Sequence, residues 1–206
     1  MFVHTNDISG PANSIRLKIK WEQWMSPIIE KYCSLNTLSL DIGSHIGTHT
    51  LQMAAHSQLV YAFEPNSHAF QTLKLNCSGR PNIKLFPFAV GNKTKQVTFK
   101  RMSINSRSFV EHFSNVIYVQ QIRIDDLQLP KVGFIKIDIE GGEVSAFKGM
   151  RETLQRWQPI IVYEDHDGQN SLFLQTKHHY HIHRINTTNY VAIPKSTHSY
   201  RSTGLY

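Results

Sequence analysis

The chain has 206 residues, and its 22 lysines and arginines outnumber its 15 acidic residues to give a formal net charge of +7. This length predicts one folded domain with a core of its own. No apolar run approaches the roughly 20 residues of a membrane span, and residues 1–10 lack the apolar segment of a signal peptide. The two cysteines lie far apart and indicate reduced thiols, not a disulfide or metal pair. We therefore expect a soluble, cytoplasmic protein without a membrane span.

Apolar periodicity predicts strands that alternate with helices along most of the chain. Two short helices within residues 13–33 should break at Ser26-Pro27, which is typical of an N-cap and first helical position. The predicted strands cover 37–42, 58–64, 83–89, 134–138 and 160–164, the helices cover 47–56, 66–78, 142–156 and 170–176, and extended segments cover 96–100 and 115–124. A hairpin with strands at 178–185 and 190–194 ends the series. This order predicts an α/β fold with a single doubly wound (Rossmann-like), mostly parallel sheet, a C-terminal antiparallel hairpin and short N-terminal helices.

The first two predicted strands end in the pattern of a nucleotide site. The first runs into Asp41-Ile-Gly-Ser-His-Ile-Gly47, where Gly43 leaves room for a cofactor and Gly47 lets the helix start close to the strand. The second ends at Glu64, where a carboxylate can accept hydrogen bonds from both ribose hydroxyls. The loop has neither the G-x-G-x-x-G of dinucleotide sites nor a P-loop lysine. A nucleoside without phosphates is favoured, and S-adenosyl-L-methionine fits. An ordinary strand–turn–helix with packing glycines is the alternative.

The acidic residues are concentrated where the predicted strands end. Ten of the 15 lie there: Asp41, Glu64, Asp125, Asp126, Asp138, Glu140, Glu143, Glu164, Asp165 and Asp167. The basic residues are spread along the chain, with a denser stretch at 93–107. General attraction to polyanions would leave the acids scattered as well. The pattern therefore indicates an acidic pocket in a basic shell.

The fourth parallel strand carries unusual charges for a central position. Lys136, Asp138 and Glu140 alternate with apolar residues and would share one face, which is costly unless they are paired or used. Glu143 has an ordinary explanation, because an acid in the first helical turn complements the helix dipole. Asp138 lies where the strand opens onto the cofactor, so we predict a catalytic role for it.

Five segments of the sequence form a further pattern: Asp41-Ile-Gly-Ser-His-Ile-Gly47, Phe63-Glu-Pro-Asn66, Ala89-Val-Gly-Asn92, Ile124-Asp-Asp-Leu127 and Ile135-Lys-Ile-Asp-Ile-Glu-Gly-Gly-Glu143. Together they resemble the FkbM family of S-adenosylmethionine-dependent methyltransferases. The K-x-D-x-E-G-x-E string is distinctive for the family, which favours Gly-Ala-Asn-Ile-Gly where this chain has Gly-Ser-His-Ile-Gly. The resemblance implies O-methylation of a hydroxyl on a sugar or a polyketide-like small molecule. We expect residues 1–35 to form a helical lid and residues 36–206 the methyltransferase domain, as one folding unit.

From the motifs and this resemblance together we expect a defined set of cofactor contacts. The predicted cofactor-binding residues are Asp41, Gly43, Ser44, His45, Gly47, Glu64, Pro65, Asn66 and Ala89.

A second group of carboxylates follows the strand at 160–164, beside the strand of Asp138. Together Asp138, Glu164 and Asp165 could bind Mg²⁺ or Mn²⁺, which would hold the acceptor hydroxyl and lower its pKa. Pairing with lysine or arginine, or simple solvent exposure, is the alternative. Without a metal, His166 or Asp138 would be the general base. The predicted catalytic residues are therefore Asp138, Glu164 and His166.

The acceptor is expected to be a glycan or another small molecule. The polar loop at 103–108 favours a sugar, with Asn105, Ser106 and Arg107 lining the acceptor side and Trp21 or Trp24 packing above. RNA 2′-O-methylation is disfavoured, because those enzymes need a lysine where this chain has Glu164. No aromatic-interleaved basic patch indicates nucleic acid either. A non-catalytic binding module is the third hypothesis, and a homodimer is left open.

Overall fold

The computed structural model describes residues 1–4, 7, 9–19, 21–100 and 116–195. The strands are β1 (Leu38–Ile42), β2 (Leu59–Phe63), β3 (Ile83–Phe86), β4 (Ala89–Val90), β5 (Lys95–Lys100), β6 (Val116–Ile122), β7 (Val132–Ile137), β8 (Ile160–Glu164), β9 (Tyr180–Arg184) and β10 (Asn189–Pro194). The helices are α1 (Gly10–Arg16), α2 (Met25–Tyr32), α3 (Thr48–His56), α4 (Ser67–Asn76), α5 (Glu143–Gly149), α6 (Arg151–Trp157) and α7 (Gln169–His178). The predicted alternation of strands and helices is confirmed.

A seven-stranded sheet with the order β3-β2-β1-β7-β8-β10-β9 forms the centre of the fold. Its first five members run parallel, and β10 pairs antiparallel with both β8 and β9. The chain leaves β1 towards β2 on one side and returns to β7 on the other. Ligands of doubly wound sheets bind beyond the carboxyl ends of the strands at such a reversal of strand order. The strand order therefore predicts a ligand site at the carboxyl ends of β1 and β7.

Apolar side chains fill both faces of this sheet. On one face α2 contributes Met25, Ile28, Ile29 and Tyr32 to a buried cluster with residues of α3, β2, β7, β8 and β10. On the other face Phe147 of α5 and Leu154 of α6 pack into a larger cluster with β1, β7 and β8. Burial on both faces explains why β7 is a nearly continuous apolar run, whereas β1 also buries the polar residues Ser39 and Asp41. The helix α2, inside the predicted lid, is therefore one of the layers that cover the sheet.

Three element boundaries differ from the sequence-based prediction. The helix α2 begins at Met25, so Pro27 lies in its first turn, where a missing N–H costs little. The strand β3 ends at Phe86, and Pro87 follows this edge strand instead of lying inside it.

The third difference is the helix predicted at 142–156, which is interrupted at Met150. Asp125 explains the restart as α6, because its carboxylate accepts hydrogen bonds from the backbone N–H groups of Glu152 and Thr153, both at 3.0 Å. A side chain distant in sequence thus caps α6, a contribution of about 1 kcal/mol.

A second, three-stranded sheet with the order β4-β6-β5 lies beside the first. The strands β5 and β6 are antiparallel and correspond to the two extended segments predicted from the sequence. Among the residues that the structure describes, no helix is long and apolar enough to cross a membrane.

Candidate cofactor and active site

Carboxylates stand at the ends of four adjacent parallel strands. Asp41 lies near the end of β1, Glu64 follows β2, Asp138 follows β7, and Glu164 is the last residue of β8. Since the strands are parallel and neighbours in the sheet, these ends meet along one edge.

The loop between β1 and α3 is held tightly to the neighbouring strands. The backbone N–H groups of Gly43 and Ser44 donate to the Phe63 carbonyl at 3.0 and 3.1 Å, and the Ser44 hydroxyl donates to the Asp41 carbonyl at 2.8 Å. Gly43 has φ +84°, and a Cβ there would lie 1.8 Å from the Asp138 carbonyl oxygen. Gly47 has φ +90°, and its Cβ would meet Leu73 of α4 at 2.7 Å. The left-handed backbone favours glycine at both positions, and at Gly43 a Cβ would also clash with backbone, independently of any need for cofactor space.

Glu64 faces this loop from the end of β2. Its buried carboxylate accepts hydrogen bonds from the backbone N–H groups of His45 and Asn66, each at 2.8 Å. Burial raises the pKa of Glu64, and these two hydrogen bonds oppose the shift. A carboxylate has about four acceptor positions, so capacity remains for two hydroxyl donors. Glu64 thus fixes the loop and can still bind a ligand.

The remaining predicted cofactor residues have different surroundings. The Asn66 side-chain oxygen caps α4 by accepting from His68 and Ala69, which ties that atom to the helix. Pro65 and Ala89 are partly buried. His45 has φ +48°, and its buried Nδ1 has no hydrogen-bond partner among the described residues. Burial lowers the pKa of His45, so its ring is neutral at neutral pH.

Lys136 is the residue that joins the ends of β1 and β7. Its Nζ lies 3.5 Å from Asp41 Oδ1 and 3.4 Å from Asp138 Oδ2, and it donates to the Gly43 carbonyl at 3.1 Å. Burial would lower the pKa of Lys136, but the charges of Asp138 and Asp41 outweigh burial and raise it. Asp41 is itself fully buried, and its second oxygen accepts from the Thr50 hydroxyl at 2.5 Å.

Lys136 was not among the predicted site residues. Its alternation with Asp138 on a central strand was the sequence signal that could have identified it.

The end of β8 presents Glu164 and His166 together. His166 Nε2 lies 3.6 Å from Glu164 Oε2, and the His166 side chain is 66% exposed. Burial and the Asp138 charge raise the pKa of Glu164, while His166 lowers it. Glu164 therefore holds a proton more readily than an ordinary glutamate, as a general base near neutral pH requires.

Asp165, a predicted metal ligand, is engaged by the turn that follows β8. Its buried carboxylate accepts hydrogen bonds from the backbone N–H groups of Gly168 and Ser171, each at 2.9 Å, and from the Ser171 hydroxyl. These bonds hold the turn that begins α7. Within the described part of the chain, no group of three or more histidines, cysteines or acids could hold a metal ion. The predicted set of Asp138, Glu164 and Asp165 is therefore not assembled.

The predicted acceptor residues Asn105, Ser106 and Arg107 lie outside the described residues. Of the two tryptophans expected above them, Trp24 packs against the cluster that includes α2. Trp21 lies against Gly10, where a Cβ would meet its ring at 2.0 Å.

The sheet order and the carboxylates at its edge define an α/β methyltransferase fold. The Methyltransferase FkbM domain matches residues 41–190, and the chain belongs to this family of enzymes that transfer methyl groups. The hexuronic acid methyltransferase AglP of Haloferax volcanii is 29% identical over 134 residues, which cover 62% of this chain and 55% of that protein.

Solved structures share the fold. The crystal structure of methyltransferase FkbM from Methylobacillus flagellatus KT has a TM-score of 0.58 at 22% identity, covering 77% of this chain and 44% of that one. A putative methyltransferase from Streptococcus mutans in complex with SAH has a TM-score of 0.52 at 11% identity, covering 82% and 93% of the two chains. The chain thus spans about half the length of AglP and of the M. flagellatus protein.

Proposed function

We propose that this chain binds S-adenosyl-L-methionine at the carboxyl ends of β1, β2 and β7 and methylates a hydroxyl of a sugar. The observation that carries the proposal is the buried Glu64 carboxylate, which faces the Asp41–Gly47 loop with acceptor capacity to spare. His45 Nδ1 of the same loop is buried and has no hydrogen-bond partner within the described protein, whereas buried Asp41 Oδ1 is contacted by the Lys136 ammonium at 3.5 Å. Buried polar atoms normally have partners, so a polar ligand fits here.

Different residues would contact different parts of the cofactor. Glu64 would accept hydrogen bonds from the ribose hydroxyls, and the Asp41–Gly47 loop would surround the methionine part. Pro65, Asn66 and Ala89 would flank the nucleoside. When bound, the cofactor supplies a sulfonium whose methyl group is electrophilic and whose leaving group is a neutral thioether.

Two observations support a sugar hydroxyl as the acceptor: the name of the relative AglP and the negative charge of the site. AglP acts on a hexuronic acid according to its name, which supports a sugar acceptor for this chain. A hexuronic acid offers both hydroxyls and a carboxylate. Asp138 and Glu164 would repel an acceptor carboxylate but can accept a hydrogen bond from a hydroxyl. We therefore favour a hydroxyl. No described contact favours a polyketide alcohol, and Glu164 would repel the phosphates of RNA.

Methyl transfer requires that the acceptor hydroxyl be aligned with the methyl carbon and that the hydroxyl lose its proton. With the cofactor bound, the hydroxyl oxygen would displace the neutral thioether at the methyl carbon, and Glu164 would accept the hydroxyl proton. Exposed His166, 3.6 Å from Glu164, can relay that proton to solvent. Asp138, held by Lys136 at 3.4 Å, would orient the hydroxyl. We derive no step through a metal, because the predicted carboxylates do not form a ligand set.

The stability of the product to alkali tests this function. Methyl-labelled S-adenosylmethionine is incubated with a neutral hexoside, the matching hexuronide, and that hexuronide with its carboxyl group converted to an amide. A methyl ether survives mild alkali, whereas a methyl ester is hydrolysed. Transfer of an alkali-stable label to all three sugars is expected, and Glu164→Gln should abolish it. Transfer confined to the free hexuronide, with a label that alkali removes, would show that the acceptor is a carboxylate.

A further inference from the structure

A turn of the N-terminal segment brings another carboxylate to the cofactor loop. Residues 21–24 form this turn just before α2, and Glu22 Oε2 lies 2.8 Å from Nε2 of His49. His49 is buried in the first turn of α3, two residues after Gly47. The Glu22 side chain keeps 22% of its surface exposed. The contact therefore places a partly accessible carboxylate beside the start of α3.

The backbone of Glu22 indicates that this placement is imposed by its surroundings. Its φ is +43°, in the left-handed region that residues other than glycine rarely adopt. The turn is closed by a hydrogen bond from the Met25 N–H to the Glu22 carbonyl at 2.9 Å. Such conformations persist where neighbouring contacts specify them and are concentrated at functional sites. The backbone conformation of Glu22 is therefore one that is typical of functional sites.

The charge of Glu22 reaches the ends of β7 and β8. Burial and Asp138 are the larger causes of the raised pKa of Glu164, and Glu22 adds to them. At Lys136 the pKa is raised against burial by Asp138 and Asp41, with Glu22 contributing next. Lys136 already pairs with Asp41 and Asp138, so these acids share its single positive charge. Glu22 therefore adds to the negative field at the ends of β7 and β8, where a cationic ligand would be stabilised.

We propose that Glu22, held by His49, is a specificity-determining residue that favours the cationic cofactor over its neutral product. This inference rests on the proposed binding of S-adenosylmethionine. That molecule carries a sulfonium, an ammonium and a carboxylate, so its net charge is positive, whereas S-adenosylhomocysteine has lost the sulfonium charge and is neutral overall. A nearby carboxylate lowers the free energy of the cation and has little effect on the thioether. Glu22 would thus aid the exchange of product for fresh cofactor.

Isothermal titration of the whole chain tests the proposal with three ligands. S-adenosylmethionine and sinefungin both carry a cationic centre at the reacting position, and S-adenosylhomocysteine does not. Glu22→Gln removes the charge but retains a side chain that can hydrogen-bond to His49. We expect it to weaken binding of both cationic ligands about tenfold, equivalent to 1.4 kcal/mol, and binding of the neutral ligand less than about twofold.

The matched control is Glu30→Gln, which removes the same charge from an exposed position on α2 and should leave all three affinities unchanged. Circular dichroism would verify the fold of each variant. Equal losses for the three ligands, or no loss for any, would overturn the discriminating role of Glu22 while leaving the proposed function intact. Failure of the unaltered protein to bind any of them would overturn both proposals.

Discussion

Replacing Lys136 by methionine should strongly destabilise the fold. The ammonium is buried between Asp41 and Asp138 at 3.5 and 3.4 Å, and methionine keeps most of its volume without the charge. The two carboxylates would respond differently. The Asp138 side chain is 40% exposed and can be rehydrated, so losing that pair costs about 0–1 kcal/mol.

Asp41 dominates the expected loss, because its side chain is 0% exposed. Without Lys136 it would keep only the hydrogen bond from Thr50. Removing one partner of a buried ion pair costs about 3–5 kcal/mol, since the remaining charge is left uncompensated. We therefore expect a reduction of about 3–5 kcal/mol in the free energy of unfolding for Lys136→Met.

Urea unfolding at neutral pH measures this loss. The folded-state pKa of Lys136 is raised, so its stabilising effect is complete below the ordinary lysine pKa and disappears only as pH rises through the folded-state value. The double variant Asp41→Asn with Lys136→Met removes both charges and should recover more than half of the loss.

Lys148→Met, at an exposed position of α5, is the control and should change stability by less than about 0.5 kcal/mol. A Lys136→Met protein as stable as the unaltered chain, or a double variant less stable than Lys136→Met, would refute the reasoning.

Four further predictions concern the site. Glu64→Ala should weaken S-adenosylmethionine binding by about 2–4 kcal/mol in a calorimetric titration, because two hydrogen bonds to a charged acceptor are lost; unchanged affinity would remove Glu64 from the site. Since Glu164 must be ionised to act as base and its pKa is raised, the acid limb of kcat/KM should lie above the ordinary glutamate pKa. Asp138→Asn should move that acid limb to lower pH. A limb that does not move would show that it does not report the ionisation of Glu164. Turnover should continue in excess EDTA, and loss of activity restored by Mg²⁺ or Mn²⁺ would show a metal requirement. Finally, Asn105→Ala and Arg107→Ala should each lower kcat/KM for the acceptor while the cofactor Kd stays within about twofold, well under the tenfold that 1.4 kcal/mol represents; weaker cofactor binding with unchanged acceptor kinetics would contradict this assignment.

The sequence alone predicts the edge of the sheet along which the candidate site residues meet. Parallel strands align their carboxyl ends, so a run that stops at Asp41, Glu64, Asp138 or Glu164 indicates one shared crevice without any knowledge of loops. The parallel sheet and its C-terminal hairpin were also predictable, because apolar periodicity and local turn residues indicate both.

Contacts between distant segments were not predictable in this way. Asp125 caps α6, and Glu22 contacts His49, but the apolar periodicity of the sequence indicates neither contact. For Gly43 the sequence predicts either cofactor space or close packing, and only the structure shows that a Cβ there would clash with the Asp138 carbonyl.

For Asp165 the sequence predicts a metal ligand, whereas the structure shows its carboxylate accepting hydrogen bonds from the nearby backbone N–H groups of Gly168 and Ser171.

A crystal structure with S-adenosylhomocysteine would test the central claim most directly. The account predicts the ligand beside the Asp41–Gly47 loop, with both ribose hydroxyls within hydrogen-bonding distance of the Glu64 carboxylate, and the thioether sulfur on the side of Asp138 and Glu164. A ligand bound at another edge of the sheet, or a ribose that makes no contact with Glu64, would contradict it.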